Sequence, residues 1–202
     1  MKKICMFAFL AVMVTAVAAP LFAQDITEPE IWTAQTPRRA AITLNTVPMV
    51  IGSLLGGFGI GTSFEYAFSS NASIRGGIYY VGFNIGVSGN DYRFSLGRFN
   101  LDMRWYPSHR YVRGFFLSGG AQFHRIAGGA ESFNSVGVVT GLGHKAAFGG
   151  QNRTLFFIEP SVDIVWSVYS QLLPDDPLAA GFLGTLLGIR GPRFNLAFGL
   201  AF

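Results

Sequence analysis

The fold is decided by an alternation of large apolar side chains with small or polar ones. It begins at residue 58, where the chain reads FGIGTSFEYAF (residues 58–68). Large apolar side chains fill the even positions, apart from Thr62, and small or polar side chains fill the odd ones. Successive side chains of a β-strand point to opposite faces, whereas a helix would mix these two sets. The stretch therefore predicts a β-strand with one oily face and one polar face.

The same alternation returns along the rest of the chain, most clearly at residues 99–105 and 156–168. Turn-forming residues such as Ser69-Ser70-Asn71 separate the alternating stretches. Eight strands are predicted, at residues 40–51, 57–69, 73–83, 94–106, 112–125, 136–145, 154–169 and 183–202. The eighth contains Gly191-Pro192, so it is either bulged there or split by a turn into two strands, which would make ten in all.

The bulky face of these strands is predicted to point outward. An eight-stranded barrel has an interior just wide enough for side chains to fill, and six or seven large residues per strand would overfill it. Charged residues fall on the opposite register, where they can pair across the lumen instead of facing lipid. The predicted lumen charge network comprises Glu65, Arg75, Asp102, Arg104, Lys145, Glu159 and Asp163.

The N-terminal segment is typical of a secretory signal peptide. Lys2 and Lys3 precede an uncharged apolar run at residues 4–19, and Ala23 ends a passable cleavage site. We assign residues 1–23 to the signal peptide, 24–38 to a periplasmic tail and 39–202 to the barrel domain. Cys5 is the sole cysteine among the 202 residues, so the mature chain is expected to have no disulfide and no thiolate metal site.

Composition excludes several classes of protein. The chain is 50% hydrophobic and only 13% charged, which rules out a disordered chain. Removing Lys2 and Lys3 lowers the formal net charge from +4 to +2 and leaves Lys145 as the one lysine beside scattered arginines. No basic stripe is present to follow a phosphate backbone, so no nucleic-acid partner is expected.

The last residues carry the most specific pattern. Apolar residues occupy one register up to an aromatic C-terminus, at Phe194, Leu196, Phe198, Leu200 and Phe202. This pattern resembles the C-terminal assembly signal of bacterial outer-membrane barrels. The resemblance implies export, contact with periplasmic chaperones, insertion by the outer-membrane barrel insertion machinery, and a location in outer-membrane lipid.

Over the mature length the pattern is similar to the small eight-stranded outer-membrane barrels of the OmpA, OmpX and OmpW type. That resemblance implies an all-β, antiparallel, up-and-down transmembrane barrel, and says little about activity. Aromatic girdles are expected at the two membrane interfaces. The candidates are Trp105, Tyr106 and Tyr111 at one end and Trp166 and Tyr169 at the other.

His124 is the best candidate for a catalytic constellation, together with Glu131 and Ser132 in a neighbouring loop. Some small outer-membrane barrels are lipid-modifying enzymes built on a His and a Ser, but their motifs are absent here. A structural histidine is therefore favoured, and no catalytic, cofactor or metal site is expected. Residues 49–61 could also form an apolar helix resting in the outer leaflet, although Pro48 and the adjacent alternation argue against a transmembrane span.

The expected function is a non-enzymatic outer-membrane barrel with a structural role or a narrow, porin-like passage for a small solute. Two alternatives stay open. One is an enzyme acting on outer-leaflet lipid, and the other is a surface binding protein that uses extracellular loops at residues 84–93 and 170–177.

Overall fold

The computed structural model describes residues 38–87, 90–108, 112–128, 131–148, 155–171 and 190–202. Its eight strands form one closed antiparallel barrel in which each strand pairs with its neighbour in sequence and β1 pairs with β8. The strands are β1 Ala40–Asn45, β2 Phe58–Ala67, β3 Ala72–Val87, β4 Asn90–Trp105, β5 Gly114–Gly128, β6 Glu131–Phe148, β7 Leu155–Ser170 and β8 Gly191–Ala201. The predicted all-β up-and-down barrel is confirmed.

The barrel has two distinct ends. Ala40 and Phe202 exchange backbone hydrogen bonds at one of them, called here the terminal end. The opposite end, the loop end, carries the β1–β2, β3–β4, β5–β6 and β7–β8 connections. Because β8 begins at Gly191 and closes on β1, the described residues form eight strands, and the ten-stranded alternative is wrong.

One of the two loops predicted at the loop end is mostly strand. β3 continues to Val87 and β4 begins at Asn90, so most of the residues predicted as a loop at 84–93 belong to paired strands. β5 and β6 likewise pair up to Gly128 and Glu131. Glycine and polar residues interrupt the alternation in these extensions, so periodicity alone did not reveal them. Residues 172–177 of the other predicted loop lie outside the described residues.

The first predicted strand ends early. β1 stops at Asn45, and Val47–Leu54 forms an eight-residue helix, α1, which corrects the strand predicted at residues 40–51. Pro48 lies in the first turn, where a missing backbone N–H costs nothing. Gly56, with φ of 70°, ends the segment in the left-handed region that glycine adopts readily. Within the described residues no helix is long and apolar enough to cross a membrane.

Helix α1 is seated on the lumen side of β2. Gly59 and Gly61 share the inner register of β2 with Glu65. A Cβ atom on Gly59 would lie 1.8 Å from the Pro48 carbonyl oxygen, and one on Gly61 would lie 3.1 Å from Pro48 Cγ. Only glycine allows this close approach. The alternative in which this helix rests in the outer leaflet is therefore wrong.

The two faces of the wall are chemically opposite. Large apolar side chains such as Phe64, Phe99 and Trp166 are exposed on the outside. Buried polar and charged side chains face the lumen. At the terminal end the lumen holds an apolar cluster of Ala41, Ala67, Val112, Leu155, Phe157 and Ala201. An ionic layer lies beside this cluster, because Lys145 Nζ is 4.5 Å from the centre of the Phe157 ring.

Candidate functional site: an ion network in the lumen

The lumen charges lie on adjacent strands because their registers match. Glu65 of β2 is directly opposite Arg75 of β3, and Arg75 is directly opposite Asp102 of β4. Arg104 lies two residues from Asp102, on the same inner register. Lys145 and Glu159 reach the same level from β6 and β7. We call Glu65, Arg75, Asp102, Arg104, Lys145 and Glu159 the lumen network.

Glu65 receives four contacts. Its Oε2 accepts from Lys145 Nζ at 2.6 Å and from Arg104 Nη1 at 3.0 Å. Its Oε1 accepts from Ser73 Oγ at 2.5 Å and from Tyr106 Oη at 2.6 Å. A buried carboxylate needs this many donors, because it has lost the water that would otherwise solvate it.

Glu159 binds the same two cations from the opposite wall. Its Oε1 accepts from Arg104 Nη2 at 2.6 Å, and its Oε2 accepts from Arg104 Nη1 at 3.0 Å. Lys145 Nζ lies 3.3 Å from Glu159 Oε2. The bidentate pair fixes the direction of the guanidinium as well as its distance. Arg104 therefore joins β4 to β2 and β7 across the lumen.

Arg75 and Asp102 form a further ion pair. Arg75 Nε lies 3.0 and 3.1 Å from the two Asp102 oxygens, and Arg75 Nη2 lies 2.9 Å from Oδ1. A longer contact of 3.3 Å joins Arg75 Nη1 to Glu159. The network holds three carboxylates and three cations, so it is electrically neutral.

Aromatic rings pack against the cations of the lumen network. The Arg104 guanidinium carbon lies 4.0 Å from the centre of the Phe116 ring, a cation–π distance. Arg104 and Lys145 are both fully buried. With its cations covered in this way, the network fills the lumen at this level.

Tyr106 was predicted to lie in an aromatic girdle, and the structure shows that this prediction is wrong. Tyr106 is fully buried, it donates to Glu65, and it packs against Phe116 with ring centres 5.7 Å apart. Its neighbour Trp105 is exposed on the outside. Alternation allows only one of two adjacent residues to face lipid, and Tyr106 shares the register of Arg104. Ser73, a second donor to Glu65, was also missed, although it lies on the same register as Arg75.

Asp163 lies apart from the lumen network. Its Oδ2 accepts from Arg193 Nη2 and from Asn195 Nδ2, each at 2.7 Å. Arg193 Nη1 also donates to Gln122 Oε1 at 2.9 Å. These residues form a separate polar group nearer the loop end. Arg193 and Asn195 were missed as lumen residues, although both alternate with the apolar register that runs from Phe194 to Phe202.

His124 is not assembled with a catalytic serine. Its side chain is 1% exposed in the lumen, and both ring nitrogens lack a hydrogen-bond partner among the described residues. Ser135 of β6 lies directly across from His124 and is buried. Ser132 lies on the opposite register of β6 and is exposed. The side chain of Glu131 lies outside the described ones. Among the described residues no group of three or more His, Cys, Asp or Glu could hold a metal ion.

The predicted girdle and assembly-signal residues that remain, where the structure describes them, lie on the outer wall. Trp105 is exposed at the terminal end of β4, and Trp166 and Tyr169 are exposed towards the loop end of β7. Phe194, Leu200 and Phe202 are exposed on β8, and Leu196 and Phe198 are half-buried between them. Tyr111 lies outside the described residues.

Comparison with known proteins gives one structural match to report. No protein-family model matches the chain, and no curated protein sequence matches it. The fold is similar to the crystal structure of Ail, the attachment invasion locus protein of Yersinia pestis, in complex with the heparin analogue sucrose octasulfate. The TM-score is 0.42 at 13% sequence identity, over 81% of this chain and 96% of that chain.

Eight antiparallel strands, an apolar outer wall and an ionic lumen are the features of the smallest transmembrane barrels. The chain has the architecture of a small eight-stranded outer-membrane β-barrel.

Proposed function

We propose that the protein is an integral barrel of the bacterial outer membrane with a structural role, and that its lumen is closed to solutes. The observation that carries this proposal is the lumen network. It joins β2, β3, β4, β6 and β7 through buried ion pairs at 2.6–3.3 Å. The apolar cluster adds a second layer at the terminal end.

A narrow passage is the less favoured role for a physical reason. A conducting barrel needs a continuous column of water, but the fully buried Arg104 and Lys145 occupy the space that such a column would need. Opening a path would break several buried ion pairs at once, and each loss leaves an uncompensated charge.

Conductance tests this role directly. Refolded protein in a planar bilayer is expected to give no discrete current steps, while a channel-forming peptide added to the same bilayer gives them. Heat-dependent electrophoretic mobility and a β-type circular dichroism spectrum of the same sample establish that the barrel is folded. Reproducible steps from the folded wild-type barrel would overturn the closed-lumen proposal.

A non-enzymatic role is part of the same proposal. Neither ring nitrogen of His124 has a hydrogen-bond partner among the described side chains, so no serine or carboxylate is bonded to it. We therefore expect outer-leaflet lipids to be unchanged by the purified barrel in mixed micelles, as measured by mass spectrometry. Turnover that is lost in His124→Ala would instead favour an enzyme.

Outer-membrane lipid is the proposed environment, and the barrel insertion machinery and periplasmic chaperones are the proposed partners in assembly. The outward apolar register of β8, which pairs with both β7 and β1, supports this proposal. Membrane fractionation is expected to place the mature chain, without residues 1–23, in the outer membrane. Recovery of that form from the soluble periplasm would contradict it.

A further inference from the structure

A second group of polar side chains lies in the lumen on the loop-end side of the lumen network. We call it the upper polar layer. It comprises Arg98, Asn100, Gln122, His124, Asp163 and Arg193. The registers bring its members together, because Arg98 of β4 is directly opposite His124 of β5, and Asn100 is directly opposite Gln122.

The upper polar layer carries more positive than negative charge. The Asp163 carboxylate is the one acid in it, and Arg193 and Asn195 already occupy its Oδ2. Arg98 has no carboxylate partner among the described residues and lies with its guanidinium carbon 3.9 Å from the centre of the Tyr79 ring. Arg98 lies close enough to Arg193 to be repelled by it and close enough to Asp163 to be attracted by it, so one carboxylate serves two guanidinium groups. The layer differs in this respect from the neutral lumen network.

Several buried polar atoms in the layer lack a hydrogen-bond partner among the described residues. They are Arg98 Nε, Gln122 Nε2, Asn100 Oδ1 and both ring nitrogens of His124, one of which carries the N–H donor in a neutral imidazole. Gln122 and His124 are two residues apart on the inner register of β5, and both are almost fully buried. Buried polar groups without partners are rare, and several close together call for a ligand that accepts hydrogen bonds.

We infer that the upper polar layer binds a small oxyanion, a phosphate or a carboxylate, between Arg98, His124 and Gln122. An oxyanion supplies acceptor oxygens for Arg98 Nε, Gln122 Nε2 and the N–H of His124, and a negative charge for the Arg98 guanidinium, which forms no ion pair with a described carboxylate. Water would satisfy the donors but would leave the charge uncompensated. Arg98 is half-buried, so the anion enters from the loop end, since the lumen network fills the lumen on the other side. This inference goes beyond the structural role proposed above and is compatible with a closed lumen.

Calorimetric titration with inorganic phosphate tests the inference. Refolded protein in a neutral detergent is titrated with sodium phosphate, and separately with sodium acetate, at constant ionic strength set with sodium chloride. We expect saturable binding of one oxyanion per chain. Arg98→Gln is expected to weaken that binding about tenfold or more, because a charge-assisted hydrogen bond is lost. The two titrations distinguish phosphate from carboxylate.

Arg125→Gln is the matched control. Arg125 lies on β5 next to His124, but its side chain is exposed on the outer register. The same charge is therefore removed outside the lumen, and binding should be unchanged. Both variants are first checked for a folded barrel by heat-dependent mobility. His124→Phe, which keeps a ring but removes its nitrogens, provides a second variant if Arg98→Gln fails to fold.

Two results would overturn the inference. The first is a folded wild-type barrel that shows no saturable heat for either anion, which would mean that water alone fills the layer. The second is equal weakening by Arg98→Gln and Arg125→Gln, which would place the anion on the outer surface.

Discussion

Among the three carboxylates of the lumen network, Glu65 contacts the largest number of different residues. Two cations and two hydroxyl groups donate to its carboxylate, and the side chain is 1% exposed. Removal of one partner from a buried ion pair is far more damaging than loss of a surface pair, because the remaining charges stay buried without compensation.

Glu65→Gln is expected to destabilise the barrel by about 3–5 kcal/mol. The neutral amide leaves Arg104 and Lys145 with one carboxylate fewer, so the network gains a net positive charge. The free energy of unfolding is measured by urea titration of the protein in lipid vesicles, with tryptophan fluorescence as the readout.

A double variant separates charge balance from packing. Lys145→Met removes the cation that contacts Glu65 at 2.6 Å. The pair Glu65→Gln with Lys145→Met restores neutrality, so its loss of stability should be smaller than the sum of the two single losses by about 0.5–3 kcal/mol. Strictly additive losses would mean that the two charges are not coupled.

For single residues, the sequence predicts the face of the barrel to which a side chain points better than it predicts the hydrogen-bond or ion-pair partners of that side chain. All seven predicted lumen charges lie on the inner face, because alternation dictates which way each residue points. Tyr106 was assigned to a girdle from its residue type, although it shares the register of Arg104. The grouping of Asp163 with Arg193 depends on how β7 pairs with β8, which a single strand's pattern cannot reveal.

Among the elements, α1 is the feature that alternation did not predict. Residues 47–55 form a short apolar run, and such a run fits a buried helix as well as a strand. Tertiary contacts decide the outcome, since the inner glycines of β2 leave room for Pro48. The strand segments with a clear apolar register, such as residues 58–68, were predictable from alternation alone.

Gly59→Ala is expected to displace α1 and to destabilise the barrel by about 1–3 kcal/mol through overpacking. The added methyl group would overlap the Pro48 carbonyl, and neither backbone can move without disturbing its own hydrogen bonds. The readout is the urea midpoint, together with cleavage of the 46–57 connection by a protease added to vesicles.

Gly119→Ala is the control for this change. Gly119 is also in a strand, but nothing lies within 4 Å of a Cβ atom built on it. It should alter stability by about 0.5 kcal/mol or less. Equal effects of the two substitutions would show that strand glycines matter for backbone reasons alone and that α1 is not seated on Gly59.

For the whole molecule, one sorting principle accounts for the fold. Hydrophobic side chains cover the outside and ionic side chains fill the inside, which is the reverse of a soluble barrel. The closed pairing of β1 with β8 leaves no sheet edge for lipid to meet. Strand number and architecture followed from this principle, but the division of the lumen into a neutral network and a positive upper polar layer required the three-dimensional structure.

Val138 and Val139 allow the difference between the outer face and the lumen to be measured with one residue type. They are neighbours at mid-height of β6, with Val138 44% exposed on the outside and Val139 6% exposed in the lumen. Each is changed to cysteine in a Cys5→Ser background and labelled with a nitroxide. Electron paramagnetic resonance in vesicles then reports collisions of the label with lipid-soluble oxygen and with a water-soluble nickel chelate.

We expect the label at position 138 to collide strongly with oxygen and weakly with the nickel chelate. The label at position 139 should collide much less with oxygen. Phe99→Cys, another exposed position on the outer register, should behave like position 138. Strong nickel collisions at position 138, or equal oxygen collisions at positions 138 and 139, would contradict a wall with lipid outside and a filled lumen inside.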